Sequence, residues 1–271
     1  MKASEDLKRY TLKGIPAVAA AVILLGLGSD GTRPGSFGQK VPFTAEFVTT
    51  STNCDRGTAI TLDQFYAVRS DGATSLGLSG AFPRRRKVTD YAAKLEVTLS
   101  DAYRIKVTYD YGAFPLRARR VGLGPRCSPP DNRYTYVGED SILGYRAYHY
   151  LAPPIVEDHG SEETHYWYAA DLNCFIIKTL SYRRDRFGKT TSIFEKTTAT
   201  IKPGEPDPRL FAVPDDYREV KPSEFERTLL LGMVQERQGT EAVRSYPIDG
   251  RLQEYFSSLD KKYETARKRP Q

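Results

Sequence analysis

The sequence predicts a mainly β (α+β) protein, a large curved antiparallel sheet or half-open barrel with helices at its carboxy-terminal end. Three observations carry that expectation. Lys94–Ser100 and Tyr103–Tyr111 alternate apolar and polar residues without error, as an antiparallel sheet with one wet face requires. Tyrosine is frequent, 18 residues against 2 Met and 1 Trp, and Tyr and Thr suit half-buried pleated surfaces. Between Val41 and Ile201 no segment reads convincingly as a helix.

Residues 1–28 combine a charged lead (Lys2, Lys8, Arg9, Lys13) with an apolar run from Ile15 to Gly28. The run is shorter than the roughly 20 residues of a spanning helix and nearer a signal-peptide core. A signal peptide and an uncleaved signal anchor, or transmembrane helix, both fit. Either places the remainder of the chain outside the cytoplasm, since the basic residues precede the run. Residues 29–40 (SDGTRPGSFGQK) read as a linker.

A β domain is expected over residues 41–222. Phe43, Ala45 and Phe47 alternate with Thr44 and Glu46, and Leu62–Arg69 and Thr74–Leu78 follow as strands. After the two alternating segments comes an irregular connection, Ala113–Asn132. Strands resume at Arg133–Val137 and Leu143–Leu151. A long hairpin then has arms Thr164–Arg183 and Lys189–Ile201, the first turn-like at Ala170-Asp171-Leu172-Asn173. Prolines 203, 206, 208 and 214 exclude helix and central strand from the exit, so Leu210, Phe211 and Val213 are expected to pin it against the sheet. Residues 223–271 form a helical extension. Ser223 and Glu226 suggest a capping box, and Leu252, Tyr255, Phe256, Leu259 and Tyr263 an amphipathic helix over Arg251–Arg269.

The net charge of +6 is spread thinly, whereas nucleic-acid binders concentrate a basic stripe. Arg84-Arg85-Arg86-Lys87, Arg117/Arg119/Arg120 and Arg183–Arg186 read as solvated turns, and no nucleic acid is expected. Of the three cysteines, Cys127 and Cys174 are the preferred disulfide pair, because Cys127 lies in a long loop that a crosslink would pin; Cys54–Cys174 is the alternative. His149, His159 and His165 with Glu157, Asp158, Glu162 and Glu163 are the one metal-like cluster, yet they lack paired-ligand spacing. No metal or cofactor is expected. Neither a G-x-S-x-G elbow nor a phosphate-binding glycine motif occurs. A hydrolase built on His165 and Glu163, which share a strand face, is the catalytic alternative.

Two stretches resemble a known family pattern. One is Gly138-Glu139 … Ile142-Leu143-Gly144-Tyr145. The other runs from Glu163-Thr164 through Trp167-Tyr168-Ala169 and Asp171–Lys178 to Gly204-Glu-Pro-Asp-Pro208, Leu210-Phe211, Pro214 and Tyr217. Together they resemble the lipoprotein-carrier superfamily, the LolA/LolB-type fold, and its uncharacterised exported bacterial members. The resemblance implies a half-open antiparallel barrel with helices across its concave side and an apolar cavity suited to acyl chains. It implies a non-enzymatic, periplasmic or envelope protein that binds a lipid or a lipoprotein acyl chain. Val107, Tyr109, Trp167, Phe175 and Ile177 would line core or cavity. Membrane attachment through residues 15–28 and a protein partner at the carboxy-terminal helices complete the expectations.

Overall fold

Two meanders meet at the first strand. In the computed structural model, which describes residues 41–78, 85–110, 125–129, 133–158 and 160–267, β1 (Phe43–Asn53) is paired with β2 (Thr58–Val68) on one side and β12 (Thr190–Pro203) on the other. From β2 the chain runs outward through β3 (Thr74–Leu78), β4 (Arg86–Asp90), β5 (Leu95–Ser100) and β6 (Ile105–Asp110), each antiparallel to the last. On the other side β12 pairs with β11 (Phe175–Asp185), then come β10 (Gly160–Ala169), β8 (Tyr145–Leu151) and β7 (Thr135–Ile142). The short β9 (Ile155–Glu157) extends along β10. The expected segments 1–28 and 29–40, the cluster Arg117/Arg119/Arg120 and His159 lie outside the described residues.

One sheet of thirteen strands results among the described residues, with β7 at one edge and β13 (Arg218–Glu219) at the other. It does not close, so the barrel is open. β13 lies parallel to β6, the one departure from an all-antiparallel arrangement. Register shifts at Glu46/Phe47, Tyr136/Gly138, Trp167/Tyr168 and Arg183/Arg184 are bulge-type irregularities that increase the local twist and bend the sheet. Leu143 and Gly144, both at positive φ (52° and 79°), make the tight β7–β8 turn, so β8 starts two residues later than its hydropathy suggests. The first arm of the long hairpin is broken at Ala170–Leu172, a 3-10 turn.

The basic run is not a solvated turn at residues 85–87, its described part. Arg86 and Lys87 open β4, and the Arg86 guanidinium donates to the carbonyls of Arg209, Leu210 and Ala212 at 3.3, 2.9 and 2.8 Å. The proline-rich exit has no ladder of its own there, so its carbonyls need a side-chain donor. Phe211, with Leu210 and Val213 beside it, packs on Ala67, Val88 and Leu99, as the exit sequence leads one to expect.

Helix α1 (Pro222–Gln238) buries Phe225 and Leu229 against Ile105, Val107 and Val220. A short α2 (Thr240–Ser245) leads to α3 (Gly250–Arg267), whose Tyr263 meets Tyr109 edge-on at 5.4 Å and donates to the Thr108 carbonyl at 3.2 Å. Among the described residues no helix is long and apolar enough to cross a membrane. The capping box does not form. Lys221 is the capping residue of α1 and its side chain makes no capping bond, Ser223 lies inside the first turn, and Glu226 pairs with Arg85. Asp260 of α3 supplies the cap instead, accepting from the Ser223 amide at 2.9 Å and hydroxyl at 2.6 Å. Asp260→Ala is therefore expected to destabilise the protein by about 1–2 kcal/mol in urea unfolding. A change within error would mean that water caps α1 equally well.

Candidate functional site

The site is built on β8, β10 and β11, where period-two spacing places Glu163, His165 and Trp167 on one face of β10. Register sets His149 of β8 directly opposite Trp167, and the two rings stack at 4.1 Å and 13°. His149 Nε2 lies 2.9 Å from His165 Nδ1. His165 Nε2 in turn lies 2.9 Å from Glu163 Oε1, while Arg184 Nη1 donates to Glu163 Oε2 at 2.9 Å. At the other end Trp167 Nε1 donates to Asp140 Oδ2 of β7 at 2.6 Å. Lys178 Nζ stands 5.2 Å from the Trp167 ring and pairs with Glu195 at 3.3 Å. One polar chain thus runs from Arg184 to His149, and the stacked ring carries it on to Asp140.

Arg184 reaches Glu163 because β10 and β11 approach closely at Gly160. Its φ is +151°, and a Cβ there would overlap the Arg184 carbonyl oxygen; no other residue fits. Hydrogen bonds from His165 and then Arg184 hold the Glu163 carboxyl below its usual range, against the opposing effect of burial. Burial pushes the His149 imidazole down, and the neighbouring His165 adds to this. An ionised Glu163 can only accept, so His165 Nε2 carries a proton. Both ring nitrogens of His165 are then engaged, one by Glu163 and one by His149, and neither can take a proton from a nucleophile. Among the described residues no three His, Cys, Asp or Glu side chains converge on a point that would hold a metal ion.

Beside this chain lies an aromatic cluster. Phe175 stacks on Tyr66 at 4.7 Å and 14°, and meets Phe43 at 5.0 Å and Phe47 at 5.7 Å. It gets there because the β11–β12 ladder begins only at Lys178 and Thr197. Before that point β11 separates from β12, held by the Thr198 hydroxyl donating to the Ile177 carbonyl at 2.6 Å. Trp167 and Ile177 share this cluster, whereas Val107 and Tyr109 belong to a second one under α1 and α3. The five residues nominated from sequence thus divide between two clusters. Phe43, Phe47 and Tyr66 were not nominated, although Phe43-x-Ala45-x-Phe47 carried the signal.

On the far side of β8 and β10, Cys127 and Cys174 form a disulfide with Cα atoms 5.3 Å apart, and Cys54 is free and exposed. Cys127 packs with Tyr148, Tyr150 and Tyr168, and the Tyr150 hydroxyl donates to the Arg126 carbonyl at 3.1 Å. A separate cleft of about 480 Å3 opens between β13, α1 and α3 over Val220 and Tyr263. Its carboxylates are already engaged: Glu219 accepts from Thr108, Glu224 pairs with Arg218, Glu264 with Lys221, and Asp260 caps α1.

No protein-family model and no curated protein matches this chain. Among solved structures it is similar to an uncharacterised conserved protein of Thermus thermophilus, at 12% identity over 67% of this chain and 90% of that one, with a TM-score of 0.37. It is similar to the MucA/MucB complex of Pseudomonas aeruginosa, at 16% identity and a TM-score of 0.37, over 69% of this chain and 60% of that one. LolA-superfamily proteins are also represented. NE2245 from Nitrosomonas europaea is 8% identical, with a TM-score of 0.31, over 64% of this chain and 91% of that one.

Proposed function

We propose that this chain is a non-enzymatic binding protein of the cell envelope that takes an apolar, lipid-like ligand such as an acyl chain in the hollow of its curved sheet. The observation that carries the reading is the rim of the aromatic cluster. Leu76, Ile142, Tyr145, Phe175, Leu180 and Ile201 surround a buried centre and are themselves only half-buried, and among the described residues the cluster takes Leu172 of the 3-10 turn but nothing from α1, α2 or α3. Each methylene that such a rim removes from water contributes about 0.8 kcal/mol, so a flexible hydrocarbon needs no polar partner there. In this reading residues 41–222 bind, residues 223–271 cover the β6 end, and residues 1–28 direct export or anchor the chain. The disulfide supports an oxidising compartment.

The test is native mass spectrometry with lipid extraction on the full chain, followed by titration with a fluorescent fatty acid. A bound acyl species is expected, and Phe175→Ala is expected to weaken uptake at least about tenfold while the protein still melts cooperatively. A folded protein that is empty and takes up no fatty acid overturns the proposal, and a protein partner at residues 223–271 becomes the reading to pursue.

A further inference from the structure

We propose that His149 and His165 form a proton-operated latch, which holds Trp167 in its stack when the facing nitrogens share one proton and releases it when both are protonated. This goes beyond ligand binding and is independent of it. Nε2 and Nδ1 are 2.9 Å apart, a distance that accommodates a single proton. That proton sits on His149 when His165 is neutral, or on His165 when His165 is an imidazolium; both states keep the bond. Once both rings are cations, both facing nitrogens carry hydrogen and the bond is lost; a proton taken at His149 Nδ1 beside a neutral His165 leaves it in place. His165 is held from behind by Glu163 and Arg184, with Tyr182 edge-on to its ring at 6.3 Å. Among the described residues His149 has no comparable hold beyond its stack on Trp167, and it is the ring that leaves.

The charged groups around the pair come from every neighbouring strand. Asp140 on β7 favours a cationic His149, while His165 and Lys178 oppose it, with Lys178 itself paired to Glu195 on β12. Burial is the largest opposing effect, and the net direction is downward from 6.5. Unfolded chain therefore takes up this proton before the folded protein does, so the stability His149 contributes is present above pH 6.5 and lost as pH falls through its lowered value. Glu163, depressed below 4.5, loses its contribution only at lower pH. Below pH 6.5, as His149 takes up its proton, the condition for opening is approached.

Trp167 is the single tryptophan, so intrinsic emission of the full chain reports this site alone. Titration from about pH 8 to about pH 4.5 is expected to give a reversible red shift with a midpoint below 6.5 and an unchanged far-ultraviolet circular dichroism spectrum. His149→Phe, which keeps a ring in the stack and cannot titrate, is expected to abolish the shift. Should that variant not fold, the wild-type indole Nε1–H resonance provides the second readout, and it should move with the same midpoint. A flat emission and indole titration in the wild type, or a transition that persists in a folded His149→Phe protein, overturns the latch.

Discussion

Arg85→Met is expected to cost about 3–5 kcal/mol of stability, while the double variant Arg85→Met/Glu226→Leu recovers most of it. Arg85, immediately before β4, reaches Glu226 in the second turn of α1 at 2.9 Å, with side-chain exposures of 18% and 10%. The guanidinium also lies over Phe225 at 5.7 Å. The pair sits among tyrosines that register the low polarity of the site. Burial raises the Tyr109 hydroxyl far above its usual range, and Tyr255 is pushed up to about 12 by burial, with Glu226 adding to it. Removing the cation alone leaves a carboxylate enclosed without a counter-charge. Removing both replaces a desolvated pair by apolar side chains, which is often neutral. Urea unfolding of the three proteins decides. Equal losses in single and double variants would show that the arginine acts through packing alone.

Loss of the Cys127–Cys174 crosslink is the second large effect. The bond joins residues 47 positions apart and encloses β7, β8, β9 and β10, so the chain-entropy description assigns it about 4 kcal/mol. It also holds buried Cys127 against Tyr148, Tyr150 and Tyr168. Cys127→Ala/Cys174→Ala, made with Cys54→Ser to prevent mispairing, should lose that stability and the near-ultraviolet dichroism of the tyrosines. Hydrogen exchange should quicken in β7 and β8 before β1 and β2. A loss below about 1 kcal/mol would mean that the tyrosine packing alone keeps these strands in place.

What could be read beforehand was whatever depends on neighbours in sequence. Period two set the alternation of β5 and β6, although Thr98 and Ser100 on the expected wet face of β5 are buried and Leu95 is exposed, and the exit was correctly pinned through Leu210, Phe211 and Val213. Glu163 and His165 were brought together by their i, i+2 spacing. His149 joined them only through the β8–β10 register, which no local pattern encodes. The same limit hid Asp260 as the cap of α1 and β4 as a strand, because Arg85 and Arg86 look solvated until Glu226 and the carbonyls of residues 209–212 arrive from far along the chain. The division of Val107 and Tyr109 from Trp167, Phe175 and Ile177 likewise follows from strand order.

The place of β1 at the junction of the two meanders governs how the chain can assemble. Its partner on one side is the very next strand, but on the other Phe43 meets Pro203 and Asn53 meets Ser192. Each meander can zip from its own hairpins, whereas the seam between them pays the entropy of closing almost the whole β domain before any reward arrives. Synthesis proceeds from the amino terminus, so β1 presents an unpaired edge until residues 190–203 emerge. During that interval the nascent chain offers any passing strand a template, and an escorting chaperone in its compartment of synthesis or export would have most to shield at residues 43–53.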